Sequence, residues 1–149
     1  MKAKRTPQGQ QLTDLILEIL RVRGSLERHG VKLTQPFGQT PARWQVMGAA
    51  WGDARTVPQI ARRMGLTRQN VQRIADVLVR EGLAQFVTNP DHQRSHILQL
   101  TDKGVETKQG ITREQLRWSN QLGRELELKD LEVTLQTLQK LTQLLDGKS

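Results

Sequence analysis

Arg68, Gln69, Asn70, Gln72, Arg73, Asp76 and Arg80 fall, at helical spacing, on the side away from an apolar stripe of Val71, Ile74, Ala75 and Leu78. With roughly 100° between successive residues, Gln69, Arg73, Asp76 and Arg80 lie opposite the stripe, and Arg68, Asn70 and Gln72 flank them. Planar guanidinium and amide groups carry donors and acceptors that match base edges in a DNA major groove, Arg to guanine and Gln or Asn to adenine. A merely solvated helix face favours Lys and Glu, whereas this one has no Lys and a single acid before Glu81. The residue types therefore favour base reading over simple solvation.

The elements that would hold these side chains can be read from the flanking sequence. Val57, Ile60, Ala61 and Met64 recur at helical spacing, as do Val71, Ile74, Ala75 and Leu78, with Gly65-Leu66-Thr67 between them. Gly65 can take the positive φ of a tight helix exit, and Thr67 can cap the next helix through its hydroxyl. Ala61 supplies a small side chain where the two helices cross. This is the pattern of a helix-turn-helix, which presents its second helix to a groove. Charge agrees: the chain of 149 residues carries a formal net charge of +8, which suits a polyanionic partner. The excess lies in the N-terminal 96 residues, because residues 97–149 hold eight basic and eight acidic groups.

The rest of the chain frames this unit. A basic tail from Met1 to about Gln8 is expected to be disordered. A long amphipathic helix follows from about Gln10 to His29, with Leu12, Leu15, Ile16, Ile19, Leu20 and Val22 on its apolar side and Gly30 as its C-cap. Thr40-Pro41 is a helix start, and that helix carries Trp44, Met47 and Trp51. After Gly82, Leu83 to Thr88 and Ile97 to Thr101 read as two short strands joined by a turn-rich tip, a wing. Arg94 at the tip would enter a minor groove or touch phosphate, while Asp91 shapes the turn or pairs with Arg94. Thr101-Asp102 caps a helix to about Gln121, and a last helix runs from about Lys129 to Leu145. The first and last helices offer more apolar surface than one small winged unit can cover, which implies a dimer.

The segment from Thr40 to Gly104 (TPARWQVMGAAW, VPQIARRMGLTRQNVQRIADVLVREGL and NPDHQRSHILQLTDKG) resembles the MarR family of bacterial winged-helix transcriptional regulators. The similarity extends over about residues 10–146. The resemblance implies a mainly α fold with a small β-hairpin, a single domain over residues 9–149. Its winged helix-turn-helix spans about 40–102, and its dimerisation helices span about 10–29 and 103–146. It further implies a homodimer that reads a pseudo-palindromic operator in double-stranded DNA. Thr67, Arg68, Gln69, Asn70, Gln72 and Arg73 become the recognition-helix contacts, and Arg94 the wing contact. The chain departs from the family's pattern at Gln39-Thr40, where a Leu-Thr pair is common. Family members often bind small aromatic or anionic effectors between the dimer helices and the winged domain. By that resemblance Trp44, with Arg43, Arg21 or Arg23 nearby, is a candidate effector contact; from the residues alone, Trp44 and Trp51 read as core packing.

Other chemistries find little support. There is no Cys and no Tyr, so thiolate chemistry, disulfides and Cys-held metals are excluded. No Gly-rich phosphate loop is present, and none of the three His has an acid or nucleophile at triad spacing. His92 and His96 are four apart but fall in the wing, so they are read as solvated or phosphate-touching rather than as metal ligands. No cofactor is expected. Asp14 and Glu18 interrupt the one N-terminal apolar region, so a membrane partner is not expected and the cytoplasm is the expected location. The combined expectation is a non-enzymatic, sequence-specific transcriptional regulator, a repressor released by an effector. Two alternatives differ in their residue demands. An architectural DNA binder would lean on Lys and phosphate contacts. A winged-helix protein-interaction scaffold would carry apolar residues where Gln69 and Arg73 stand.

Overall fold

Five α-helices open on a threonine whose hydroxyl accepts a hydrogen bond from the backbone N–H three residues on, the last of them on Thr101, which receives Gly104 at 3.2 Å. Thr6 receives Gly9 at 3.1 Å, Thr40 receives Arg43 at 3.2 Å, Thr56 receives Gln59 at 3.3 Å and Thr67 receives Asn70 at 3.1 Å. In the first three, proline occupies the first turn, where its missing N–H costs nothing. In the computed structural model, which describes residues 4–53 and 55–147, the elements are α1 (Pro7–Thr34), a 3-10 turn (Gln35–Phe37), α2 (Pro41–Trp51), α3 (Val57–Met64) and α4 (Arg68–Arg80). They continue with β1 (Ala84–Thr88), β2 (His96–Leu100), α5 (Asp102–Gly123) and α6 (Leu128–Leu145). The chain divides into two compact units, residues up to Ile111 and residues from Thr112 on.

In the first unit, the core is drawn from every element of the winged helix. Val46, Met47, Ile60, Val71, Leu78, Leu98 and Ile111 are buried, with Ala61 and Ala75 where helices approach closely. The expected turn is present: Gly65 has φ 65°, and its N–H and that of Leu66 both reach the Ala61 carbonyl. β1 and β2 pair antiparallel, Ala84 opposite Leu100 and Thr88 opposite His96. The first strand is one residue shorter than the expected Leu83–Thr88, and the second begins and ends one residue earlier than Ile97–Thr101. Leu83 and Thr101 are used instead to join α4 to α5.

That junction is tight. The Leu83 carbonyl accepts from Thr101 N–H at 3.1 Å, and the Thr101 hydroxyl donates to the Gly82 carbonyl at 2.6 Å. A Cβ on Gly104 would lie 1.9 Å from the Leu83 oxygen, so α5 starts in direct backbone contact with the turn that leaves α4.

Two expectations for the N-terminal region need correction. Of the tail expected over residues 1–8, residues 1–3 lie outside the described residues, and Pro7 and Gln8 already belong to α1. The Thr6 cap and Pro7 start the helix earlier than Gln10. Gly30 is not a C-cap: α1 runs on to Thr34, and a Cβ on Gly30 would meet the Pro41 ring at 3.1 Å, so this glycine lets α1 approach α2. Gln39, the departure noted in the sequence, is buried and its amide donates to Glu81 Oε2 at 3.3 Å.

Thr34 is the one buried residue in all 28 positions of α1, while Leu12, Ile16, Leu17, Leu20, Leu26 and Val31 are exposed. In the second unit, α6 has no buried residue, and Leu128, Leu144 and Leu145 are 70–77% exposed. Among the described residues no helix is long and apolar enough to cross a membrane.

Gly104→Ala should lower stability by about 1–3 kcal/mol in urea unfolding, because the backbone atom it meets cannot move aside. Gly48→Ala, within α2 and with nothing within 4 Å of the added Cβ, should instead be neutral or stabilising. Equal stability of Gly104→Ala and the unaltered chain would contradict the close contact.

Candidate nucleic-acid interface

α4 turns Val71, Ile74, Ala75 and Leu78 into the core and leaves Arg68, Gln69, Gln72, Arg73, Asp76 and Arg80 exposed, with Asn70 half-buried. Thr67 is exposed at the N-cap, and its hydroxyl proton is still available after its oxygen has capped the helix. The α4 residues expected to read DNA therefore lie on the side of the helix turned away from the core.

Two clefts divide this surface. On the wing side, Gln72 and Arg94 line one cleft of ≈ 480 Å³ together with Thr56, Pro58 and Phe86. On the α2 side, Asn70 and Arg73 line another of ≈ 250 Å³ with Arg43, Ile74 and Val77. Arg94 itself is exposed at the wing tip. The tip is shaped by Asn89 rather than by an Asp91–Arg94 pair: Asn89 Oδ1 accepts from Asp91 N–H at 3.0 Å, and its amide donates to Ser95 Oγ at 3.0 Å. Among the described residues no ion pair joins Asp91 to Arg94.

The candidate effector residues are placed differently from one another. Trp44 is partly buried against the core of the winged unit. Arg43, its neighbour in the helix, points elsewhere and pairs with Glu81 Oε1 at 3.1 Å. Trp44 is not among the walls of the cleft that Arg43 lines. Arg21 and Arg23 pair with Glu18 and Glu27 on α1 itself. Trp51 is not core as expected; α2 ends beyond the packed layer that Met47 fills, and the indole is 53% exposed with the Lys108 ammonium 5.5 Å from its centroid.

Glu81 was not legible as a site residue, yet it ties the end of α4 to three neighbours. Its carboxylate takes the Arg43 guanidinium and the Gln39 amide, and its backbone carbonyl accepts from Lys103 Nζ at 3.0 Å. Its partners lie 38 and 42 residues earlier and 22 later, separations at which no local pattern signals contact. No group of three or more potential metal ligands occurs among the described residues.

Comparison with known proteins follows the same outline. The model of the MarR family matches residues 38–95. An uncharacterized protein of Mycobacterium bovis, Mb2034c, is 37% identical over 133 residues, covering 89% of this chain and 93% of that protein. Among solved structures, the MarR family transcription regulator SP03579 superposes with a TM-score of 0.85 at 21% identity, covering 94% of this chain and 93% of that one. AbsC, a MarR family regulator from Streptomyces coelicolor, gives 0.79 at 18% identity over 98% and 99% of the two chains. The transcriptional repressor CouR, bound to a 23-mer DNA duplex, gives 0.77 at 25% identity over 93% and 99%.

A double-mutant cycle of Arg43→Ala and Glu81→Ala should return a coupling of about 0.5–1 kcal/mol, since both groups are partly exposed. The coupling should shrink as salt is raised. A coupling of zero at low salt would show that the pair does not anchor α4.

Proposed function

Since the chain belongs to the MarR family of winged-helix transcription regulators, we propose that it acts as a homodimeric repressor that reads a pseudo-palindromic operator through α4 and the wing. It is a DNA-binding regulator of transcription and not an enzyme. The observation that carries the finer reading is the exposed face of α4, where Arg, Gln and Asn stand with no Lys. Phosphate gripping alone would not require that choice.

In this reading Thr67, Arg68, Gln69, Asn70, Gln72 and Arg73 meet the major groove and Arg94 meets the backbone or minor groove. The clefts on either flank of α4 suit the proposal, since they leave Gln72 and Arg94 accessible on one side and Asn70 and Arg73 on the other. Dimerisation is supported by the exposed leucines of α1 and α6, which water disfavours and a second copy would cover. Both compact units then belong to one functional domain that is complete only in the dimer. Symmetry makes the operator an inverted repeat with half-sites about one turn apart. The regulator works in the cytoplasm, where its DNA lies.

Release by a small aromatic or anionic effector is part of the proposal, with Arg43 and Trp44 as separate contacts, since Trp44 does not line the cleft that Arg43 lines. An anion at Arg43 would have to displace the Glu81 carboxylate, and so would loosen the tie at the end of α4. The spacing of two recognition helices must match a turn of DNA, so a small shift forfeits a half-site.

Arg73→Ala should cost about 1–3 kcal/mol on the specific site and relax preference at one base. Uniform weakening on every sequence would show instead that Arg73 grips phosphate. A chain lacking residues 130–149 should sediment as a monomer and lose tight DNA binding; a truncated chain that remains dimeric would overturn the role given to α6.

A further inference from the structure

Two hydrogen bonds within α4 decide which atoms of the reading face are left free. Gln72 Nε2 donates to Asp76 Oδ1 at 2.9 Å, and Arg73 Nη2 donates to Asn70 Oδ1 at 2.9 Å. The two pairs have opposite polarity. Arg73 and Asn70, with one lone pair of the amide oxygen taken by the guanidinium, offer chiefly donors: the remaining guanidinium N–H groups and the Asn70 amide nitrogen. Gln72, with its nitrogen tied back along the helix, offers its Oε1 as the free end, beside the acceptor-only carboxylate of Asp76.

Asp76 calls for an explanation of its own, because a carboxylate on a face that meets a polyanion is repelled by it. A carboxylate withdrawn from water needs a donor, and the Gln72 amide is bonded to it. Docking against DNA removes the competing water, so the Gln72–Asp76 bond is strengthened there.

We propose that Asp76 is a specificity-determining positioning residue: by holding the Gln72 amide in one of its two orientations, it makes Gln72 present an oxygen to the DNA. The inference rests on the proposed docking of α4 in the major groove. An amide free to turn over can show either its oxygen or its nitrogen, and so accepts amino-bearing and keto-bearing bases alike. Held by Asp76, its oxygen accepts from adenine N6 or cytosine N4, while guanine O6 and thymine O4 would face it oxygen to oxygen. The pair of Arg73 and Asn70, whose free groups are chiefly donors, reads the opposite class, the N7 and O6 acceptors of guanine. The recognition helix thus carries two adjoining patches of fixed and opposite hydrogen-bonding sense.

The test is selection of bound sequences from a random duplex pool by the full chain, by Asp76→Ala and by Asp76→Asn, both substitutions being at an exposed position where folding is not at stake. The unaltered chain should enrich one half-site position in adenine or cytosine over guanine or thymine by roughly tenfold, the scale of a good base contact. Asp76→Ala should bring that ratio close to one at that position alone. Asp76→Asn, whose amide can accept from Gln72 Nε2 or donate to Gln72 Oε1, frees Gln72 to turn over and should lose the preference as Asp76→Ala does. Identical base preferences for the unaltered chain and Asp76→Ala would overturn the proposal. Retention of the preference by Asp76→Asn would show that an acceptor-only partner is not what holds Gln72 and would overturn the orientation mechanism. If the unaltered chain enriched no motif, the major-groove reading itself would fall, and this inference with it.

Discussion

The carbonyl of Leu83 is the point on which the DNA-facing unit depends. It lies just after α4 and just before β1, and it accepts from the first N–H ahead of α5. Because Gly104 has no side chain, α5 can begin in contact with this carbonyl, so the end of the recognition helix, the root of the wing and the start of the exit helix meet at one place. Glu81 adds α2 and the connector to the same junction through Arg43 and Gln39. Each of these bonds is weak alone and partly solvated. Together they give α4 a fixed direction relative to the elements around it, and a reading helix is useful only when its direction is fixed.

The remaining surface follows from a division of labour along the chain. The winged helix buries its apolar residues against itself and leaves Arg, Gln and Asn outward. α1 and α6 do the reverse and leave leucines in water. Helices of 28 and 18 residues that bury one residue and none are not stable arrangements for a lone chain, so a partner copy is their natural complement. In the proposed dimer, two-fold symmetry passes from protein to DNA without any further device.

Much of this was legible in the residues because local rules and tertiary packing agree. The helix-turn-helix was readable because Gly65 and Thr67 have one conformational use each, and the period of Val71, Ile74 and Leu78 admits one buried face. The wing was readable because the period changes after Gly82. The misreadings have definite causes. Gly30 looked like a terminator by type, but its role is set by Pro41, a tertiary neighbour. Thr6-Pro7 carries the same start signal as Thr40-Pro41, but it lies within a basic stretch whose composition reads as a tail. Trp51 looked like core by its spacing, yet the helix ends outside the packed layer. Gln39 was marked as a departure from pattern; its partner, Glu81, lies 42 residues away, beyond any local signal.

The central claim is that two copies of this chain lie on one DNA duplex with their α4 helices in successive major grooves. Hydroxyl-radical footprinting on a selected duplex tests it most directly. The account predicts two equivalent protected patches on one face of the DNA, related by two-fold symmetry and centred about 10 base pairs apart. A single protected patch, or uniform protection without a preferred position, would contradict it.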